Sequence, residues 1–315
     1  ARDSWVQDWE TNMRNSEWAA IGLSEWAAQG DWRLMFLHRD RVKAVTADDV
    51  LRVAKAYLKA ENRTVGTFVP TKAPQRAEVP ATPDLAAMMK DYKGGAALAA
   101  GEAFDPSPPA IEGRTARTAI APAIKVVLVP KKTRGATVQV AMTFHFGDVK
   151  SLQGRGTAGE FAGQMLMRGT AKHTRQQIPD EGDRLKAQIG VFGGATSASA
   201  SIEVTRENLA PALALAAEIL REPSFPAAEF EVLRQETLAG LEDQKSDPRY
   251  VQSPEESIDL AKAVTIDEVK RVCAGFYGAS AAEIAIVGNF DRDEVLSQRT
   301  KLFEEWKSPK PFARL

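Results

Sequence analysis

The clearest alternation of apolar and polar residues lies in the second half of the chain. Residues 137–146 read TVQVAMTFHF, and large apolar residues occupy every second position. Residues 196–204 show the same period of two, with alanine, isoleucine and valine set against serine and glutamate. This period is typical of a strand with one buried face. Apolar runs predict further strands over residues 64–69, 124–129 and 283–287.

Helical periodicity accounts for much of the chain between these strands. It predicts helices over residues 157–168, 179–189, 206–221 and 226–244. Strands that alternate with helices in this way predict a layered α/β unit with a mixed sheet. We expect its helices to pack mainly on one face of the sheet.

Two nine-residue segments match without gaps: residues 45–53, VTADDVLRV, and residues 264–272, VTIDEVKRV. In each, a threonine precedes an acidic residue by three positions, which predicts a capping box at the start of a helix. A predicted strand follows each copy, so the repeat indicates duplicated α/β units. The predicted apolar face of the first helix consists of Val50, Val53, Ala54 and Tyr57.

Tryptophan and proline mark the organisation of the first part of the chain. Five of the six tryptophans lie within the first 32 residues, at spacings that indicate packing along helices more than an exposed aromatic site for a partner. Residues 71–116 are rich in proline, alanine and glycine, which predicts a linker with one short helix over residues 84–92. The predicted domains are therefore residues 1–70, the linker 71–116 and residues 117–315.

Composition narrows the classes of partner. The formal net charge of −1 argues against nucleic acid or an anionic membrane as an electrostatic partner. No apolar run approaches the roughly 18 residues of a membrane-spanning helix. The single cysteine, Cys273, allows no intrachain disulfide. The first residue, Ala1, is neither an initiator methionine nor the start of a signal peptide, so we expect a processed product or a piece of a longer protein.

One predicted helix has the residue spacing of a known helix motif but lacks the side chains that give the motif its function. Residues 156–170 read GTAGEFAGQMLMRGT, and this frame resembles the H-x-x-E-H helix of the pitrilysin/insulinase (inverzincin) zinc metallopeptidases. In that frame the first histidine falls on Glu160, the catalytic glutamate on Gly163 and the second histidine on Gln164. The family's third ligand, a glutamate from a downstream helix, falls on Leu241.

The resemblance extends over nearly the whole chain. It includes residues 30–33, GDWR, and 62–66, NRTVG, and also 223–226, PSFP, with the helix after them. The resemblance implies a two-layer α+β sandwich with a mixed, mainly antiparallel sheet. It implies that residues 1–70 end one peptidase-like unit and that residues 117–315 form an incomplete second unit with a degenerate zinc helix.

Two departures from the family pattern concern length. Residues 247–253 join one helix to the next more abruptly than in the family, which implies that residues are missing there. The chain also stops at Leu315, before the partner unit that normally completes the pair.

The residues at the zinc positions predict an inactive site. Zinc of this type needs two imidazoles one helical turn apart, a third ligand and an open position, with a glutamate as general base for the bound water. Glu160 and Gln164 offer a carboxylate and a neutral amide, Gly163 has no side chain, and Leu241 cannot bind metal. Glu242 would point about 100° away around its helix. We therefore expect no catalytic residue, no metal and no other cofactor in this segment, and we expect zinc in the parent protein or a partner.

The remaining candidates for chemistry are weak. His38, His145 and His173 lack histidine or cysteine partners at metal-binding spacing, so we expect structural or solvated roles. Cys273 has no evident activating group. The glycines near residues 190–194 lack a Walker-type lysine and helix, so phosphate binding is unsupported.

Three functional hypotheses remain open. In the first, the chain is the non-catalytic portion of a zinc metallopeptidase and forms part of its peptide-binding chamber. The active helix would then lie upstream or on a partner chain, and the partners would be the peptide substrate and that active half. In the second, the chain is a structural or assembly subunit of the same fold. In the third, a minor one, it is an enzyme with an unfamiliar site. The compartment is not fixed, although a periplasmic location is favoured over a cytoplasmic one if the source is bacterial.

Overall fold

The computed structural model describes residues 1–59, 62, 84–94, 99–120, 124–244 and 254–314. The chain divides into two compact units, Ala1–Ala97 and Leu98–Leu315. Among the described helices, none is long and apolar enough to span a membrane. The predicted strand over residues 64–69 and the abrupt joint at residues 247–253 lie outside the described residues.

The first unit contains helices with a small aromatic core. The helices are α1 (Arg2–Asn12), α2 (Ser16–Ala28), α3 (Leu34–Ala44), α4 (Ala47–Tyr57) and α5 (Leu85–Met89). Trp9, Met13, Ala19 and Met35 are buried together, and Trp18 and Trp26 pack against them. The predicted tryptophan packing is therefore correct for these three tryptophans, whereas Trp5 and Trp32 are exposed.

A six-stranded sheet forms the centre of the second unit. Its strands are β1 (Ala116–Ile120), β2 (Ile124–Pro130), β3 (Thr137–His145), β4 (Gln188–Gly193), β5 (Ser197–Thr205) and β6 (Ala282–Gly288). Their order across the sheet is β1-β2-β6-β3-β5-β4. Only the β2–β6 pair is parallel, and the other four pairs are antiparallel. The prediction of a mixed, mainly antiparallel sheet is confirmed.

Alternation along the central strands fixes which face is buried. Met142 of β3 lies opposite Ala200 of β5 and Ile284 of β6, and all three side chains are buried. The neighbouring Ala141, opposite Ser201, points to the other face, and both are exposed. A shift of one residue in this register would expose the whole apolar set, so the pattern of the sequence specifies the pairing.

The helices of the second unit cover the apolar face of the sheet. They are α6 (Pro108–Arg114), α7 (Val149–Leu152), α8 (Gly156–Met165), α9 (Gln177–Arg184), α10 (Leu209–Arg221), α11 (Ala227–Gln244), α12 (Pro254–Ala263), α13 (Ile266–Phe276) and α14 (Arg292–Phe303). Residues of α8, α10, α11, α13 and α14 share one continuous core with the strands. The predicted two-layer α+β architecture, with helices on one face, is confirmed.

Two local predictions in the second unit were wrong. The helix predicted over residues 179–189 ends at Arg184, because Lys186 adopts a left-handed conformation with φ of +50° and the chain turns into β4. The strand β1 was missed, since its residues Ala116–Ile120 carry little apolar alternation and are held by antiparallel pairing with β2. In both places pairing with a neighbouring strand decided the conformation.

Both predicted capping boxes are present. The hydroxyl of Thr46 accepts a hydrogen bond from the backbone N–H of Asp49, and the Asp49 carboxylate accepts one from the N–H of Thr46. Thr265 and Glu268 make the same reciprocal pair at the start of α13. The two repeat copies therefore start their helices identically.

Candidate functional site

Helix α8 exposes two polar side chains on one of its faces. Glu160 and Gln164 are four residues apart, which places them one above the other on consecutive turns, and both are exposed. Gly163 lies between them in sequence but faces the interior, where it is buried. The helix continues into a 3₁₀ turn, Leu166–Arg168.

Two of the buried residues of α8, Gly159 and Gly163, are glycines, which lets the helix lie directly against the backbone of β4 and of the turn after it. A Cβ added to Gly193 of β4 would lie 2.5 Å from the Cα of Gly163, and a Cβ added to Gly163 would overlap the carbonyl carbon of Gly193. One turn earlier, a Cβ on Gly159 would lie 2.8 Å from the Cα of Ala195. Glycine allows this close approach, and no side chain fits at position 163 unless β4 moves.

The carboxylate of Glu160 binds the turn that follows β4. Its Oε1 accepts a hydrogen bond from the backbone N–H of Ala195 at 3.3 Å. A Cβ added to Gly194 would lie 3.3 Å from the same oxygen, so the carboxylate lies close over this turn. Glu160 thus joins α8 to the β4–β5 connection.

A buried tyrosine, Tyr277, lies beside the connection between β4 and β5. The ring of Tyr277 stacks on Phe146 at 4.7 Å between centroids, and its hydroxyl has no hydrogen-bond partner among the described residues. A Cβ on Gly193 would lie 2.7 Å from that hydroxyl. Burial raises the pKa of Tyr277, and the nearby Cys273 and Glu160 raise it further. The phenol is therefore neutral at physiological pH and cannot serve as a base.

The position aligned with the third zinc ligand is apolar. Leu241 lies near the end of α11 and packs against the main core. Its neighbour Glu242 is exposed. No carboxylate is brought from position 241 to the exposed face of α8.

Two of the three histidines pack against aromatic rings. The ring of His38 lies 5.4 Å from Trp5 and 5.4 Å from Trp26 between centroids. His145 stacks on Phe312 at 5.2 Å. In the part of the chain that the structure describes, no group of three or more histidine, cysteine, aspartate or glutamate side chains could hold a metal ion.

The third histidine belongs to a hydrogen-bonded cluster under the turn after α8. The Nδ1 of His173 lies 2.8 Å from Oε1 of Glu218, and the hydroxyl of Thr170 donates to the same oxygen at 2.5 Å. Burial would raise the pKa of Glu218, but the hydrogen bonds from Thr170 and His173 outweigh it, so the pKa is lowered. This cluster fixes the turn to α10.

The surroundings of the single cysteine make its thiol unreactive. Cys273 is partly buried on α13, and burial raises the pKa of its thiol to about 12. A nucleophilic cysteine needs a depressed pKa, so Cys273 does not meet that requirement.

Comparison with solved structures identifies the fold. A crystal structure of a peptidase M16 inactive domain from Pseudomonas fluorescens superposes with a TM-score of 0.55 and 23% identity, covering 64% of this chain and 53% of that one. The chain has a pitrilysin/insulinase-like, peptidase M16 fold. The crystal structure of a protease from Helicobacter pylori matches this M16 fold with a TM-score of 0.52 and 17% identity, covering 64% and 52% of the two chains.

Sequence comparison gives a relative that is named as a zinc protease. An uncharacterized zinc protease of Rickettsia bellii is 26% identical over 160 residues, which cover 45% of this chain and 39% of the relative. No family model matches the chain. The chain thus spans about half or less of the length of the proteins that it matches. The fold that the family resemblance implied is confirmed.

The residues at the three aligned ligand positions, Glu160, Gln164 and Leu241, do not fit a zinc site of the M16 type. Zinc at such a site takes imidazole nitrogen and carboxylate oxygen from three side chains. Here the exposed pair is one carboxylate, already bound to a backbone N–H, and one neutral amide. The side chain at the third position, Leu241, is a hydrocarbon and has no atom that could bind zinc. These residues therefore support no metal-dependent step on helix α8.

Proposed function

We propose that this chain is a non-catalytic portion of a pitrilysin/insulinase-type zinc metallopeptidase. It forms part of the peptide-binding chamber, and the active zinc site lies upstream in the same polypeptide or on a partner chain. Residues 1–70 are the end of a preceding unit, residues 71–116 are the linker, and residues 117–315 are the degenerate second unit.

The backbone contact of Gly163 with Gly193 is the observation that carries this proposal. An active unit needs room for a glutamate at this position, because that side chain takes the proton from zinc-bound water. Here strand backbone takes up that room. Glu160, Gln164 and Leu241 at the remaining positions support the same conclusion, because no two of them form a usable zinc pair.

The names and lengths of the relatives support the rest of the proposal. One solved relative is a peptidase M16 inactive domain and the sequence relative is a zinc protease. About half of each solved relative lies outside the match, which is enough for a second unit of similar size. We propose a peptide as the substrate of the parent protein, zinc as its metal, and the periplasm as its compartment if the source is bacterial.

The proposal is tested on the full product of the gene, purified with any partner subunit. We expect it to contain zinc and to cleave unfolded peptides in a chelator-sensitive reaction. Replacing the glutamate of its intact H-x-x-E-H helix by glutamine should abolish cleavage, whereas Glu160→Gln in the present segment should leave kcat unchanged. A full product without zinc and without an intact motif would overturn the proposal and favour a structural or assembly subunit.

A further inference from the structure

The predicted linker, residues 71–116, is bound to each of the two compact units. The division between the units falls within it, between Ala97 and Leu98. Described residues before the division contact the first unit, and described residues after it contact the second unit. Each set of contacts is local to its own unit.

On the first unit, helix α5 and the tyrosine that follows it pack against the other helices. The side chain of Met89 is buried. A Cβ added to Gly30, two residues after α2 ends, would lie 2.7 Å from a methyl carbon of Leu85. The hydroxyl of Tyr92 donates a hydrogen bond to the carboxylate of Asp40 on α3 at 2.8 Å. We call Leu85, Met89 and Tyr92 the Tyr92 anchor.

On the second unit, residues 99–105 lie along the turn between β2 and β3. The backbone N–H of Gly135 donates to the carbonyl of Ala99 at 2.9 Å. The backbone N–H of Glu102 donates to the carbonyl of Lys132 at 3.0 Å. These two hydrogen bonds run in opposite directions, so the segment and the turn hold each other through their backbones.

An aromatic ring adds a second kind of contact to this segment. The Nζ of Lys131 lies 4.0 Å from the ring centroid of Phe104, and the guanidinium carbon of Arg114 lies 5.5 Å from it. Both distances are within the range of about 6 Å for cation–π attraction. Glu102 forms an ion pair with the same Arg114. We call residues 99–105 with these contacts the Phe104 anchor.

Little of the chain is left between the two anchors. Six residues, 93–98, separate Tyr92 from Ala99. Six fully extended residues span at most about 22 Å, whereas the 46 residues of the predicted linker would span about 165 Å. Residues before Leu85 and after Phe104 add nothing to this span, because the anchors lie between them and residues 93–98.

We propose that the two anchors make the linker a six-residue tether between the units, formed by residues 93–98. The tether limits the separation of the units, so each is kept at a high effective concentration near the other. In the peptide-binding chamber the tether limits how far the wall formed by the second unit can move. That last consequence rests on the proposed function, whereas the tether itself does not.

A matched pair of insertions tests the tether. About twenty glycine and serine residues are inserted after Gly95, between the anchors, or after Glu78, between α4 and α5 of the first unit. The distance between the units is measured by pulsed electron paramagnetic resonance on the purified 315-residue chain. Spin labels are attached at Lys90→Cys and Lys132→Cys, with Cys273→Ser to remove the native thiol.

The two insertions have different expected results. The insertion after Gly95 should lengthen the mean distance by about 10 Å or more, because a flexible segment of about 26 residues has a root-mean-square length of about 28 Å, against about 13 Å for six residues. The insertion after Glu78 should leave the distance unchanged, because it enlarges a connection within the first unit. A distance that lengthens as much after Glu78 as after Gly95, or that lengthens in neither variant, would overturn the tether. The measurement needs neither zinc nor cleavage, so a failure of the proposed function does not affect it.

Hydrogen exchange gives an independent test of the Phe104 anchor. Phe104→Ala removes the ring that lies near the two cations, so we expect the backbone amide of Glu102 to exchange about tenfold faster or more, since local opening controls exchange. The control is Phe312→Ala, which removes a ring that stacks on His145 and should leave that amide unchanged. Mass spectrometry of the peptide that contains residues 99–105 measures both. Equal exchange in the two variants would overturn the anchor and with it the inference.

Discussion

Gly163 and Gly193 are in direct backbone contact, and this contact joins helix α8 to the edge strand β4. A Cβ on Gly193 would lie only 2.5 Å from the Cα of Gly163. Because the family frame places the general base at position 163, the contact occupies the space in which catalysis would require a carboxylate. A strand that lies this close cannot accept a side chain without moving.

The first prediction concerns the glycine at that contact. Gly163→Ala should destabilise the second unit by about 3 kcal/mol, because the added methyl group overpacks a backbone contact. The control is Gly240→Ala in α11, where a Cβ would meet nothing within 4 Å. That change should stabilise the protein by about 1 kcal/mol through helix propensity. Urea unfolding followed by far-UV circular dichroism measures both, and similar effects of the two alanines would contradict the close contact.

The second prediction concerns partial restoration of the zinc ligands. Glu160→His with Gln164→His places two imidazoles one turn apart on an exposed helix face, so we expect weak zinc binding, about micromolar or weaker. We expect no peptide cleavage, because position 163 holds no base and position 241 holds leucine. Zinc titration and a peptide assay measure the two properties, with Glu160→His alone as the control. Zinc-dependent turnover by the double variant would refute the account of the turn.

The third prediction concerns pH. The folded-state pKa of Glu218 is lowered from the ordinary value of 4.5, so its contribution to the free energy of unfolding is complete above about that pH and is lost as the pH falls through the folded pKa. Glu218→Gln should cost about 1–2 kcal/mol at pH 7, and the difference should shrink toward pH 3.

The control for this prediction is a neighbouring carboxylate. Glu222 pairs with the exposed Lys172 at 3.0 Å, and such surface pairs contribute about 0–1 kcal/mol. Glu222→Gln should therefore change stability little at either pH. Urea unfolding at pH 7 and at low pH measures both variants. A cost of Glu218→Gln that does not vary with pH would show that the carboxylate's charge is not what stabilises the turn.

The fourth prediction concerns Cys273. With a thiol pKa of about 12, roughly one molecule in 10⁴ carries the reactive thiolate at pH 8. Alkylation by iodoacetamide should therefore be at least about 100-fold slower in the native protein than in denaturant, where the pKa returns to about 8.5. Peptide mass spectrometry over time measures the rate. Comparable rates in the two states would contradict the burial of this thiol.

The sequence predicted those parts of the fold whose signals are local. The period of two in β3 and β5 sets both the strands and the face that they bury, since each side chain is placed by its parity. The capping boxes of Thr46 and Thr265 are local signals as well, because each threonine and its acidic partner lie within four residues of each other. They mark the starts of their helices. The family frame predicted which helix corresponds to the zinc helix of the family.

The parts that the sequence did not predict depend on distant neighbours. Strand β4 was placed partly in a helix, because its pairing with β5 is not visible in its own residues. The sequence around Gly193 raises only the question of phosphate binding, although a glycine within a strand also marks close approach of another backbone. The buried hydroxyl of Tyr277 gave no sequence signal, because its burial follows from the packing of α13 on α8.

The most direct test of the central claim is metal analysis and a peptide assay on the purified 315-residue chain. After chelator washing and incubation with zinc, we predict less than one tenth of a zinc ion per chain by mass spectrometry of the metal, on the order of adventitious binding, since M16 zinc needs three protein ligands. We also predict no chelator-sensitive peptide cleavage. Stoichiometric zinc together with cleavage that a chelator abolishes would contradict the account.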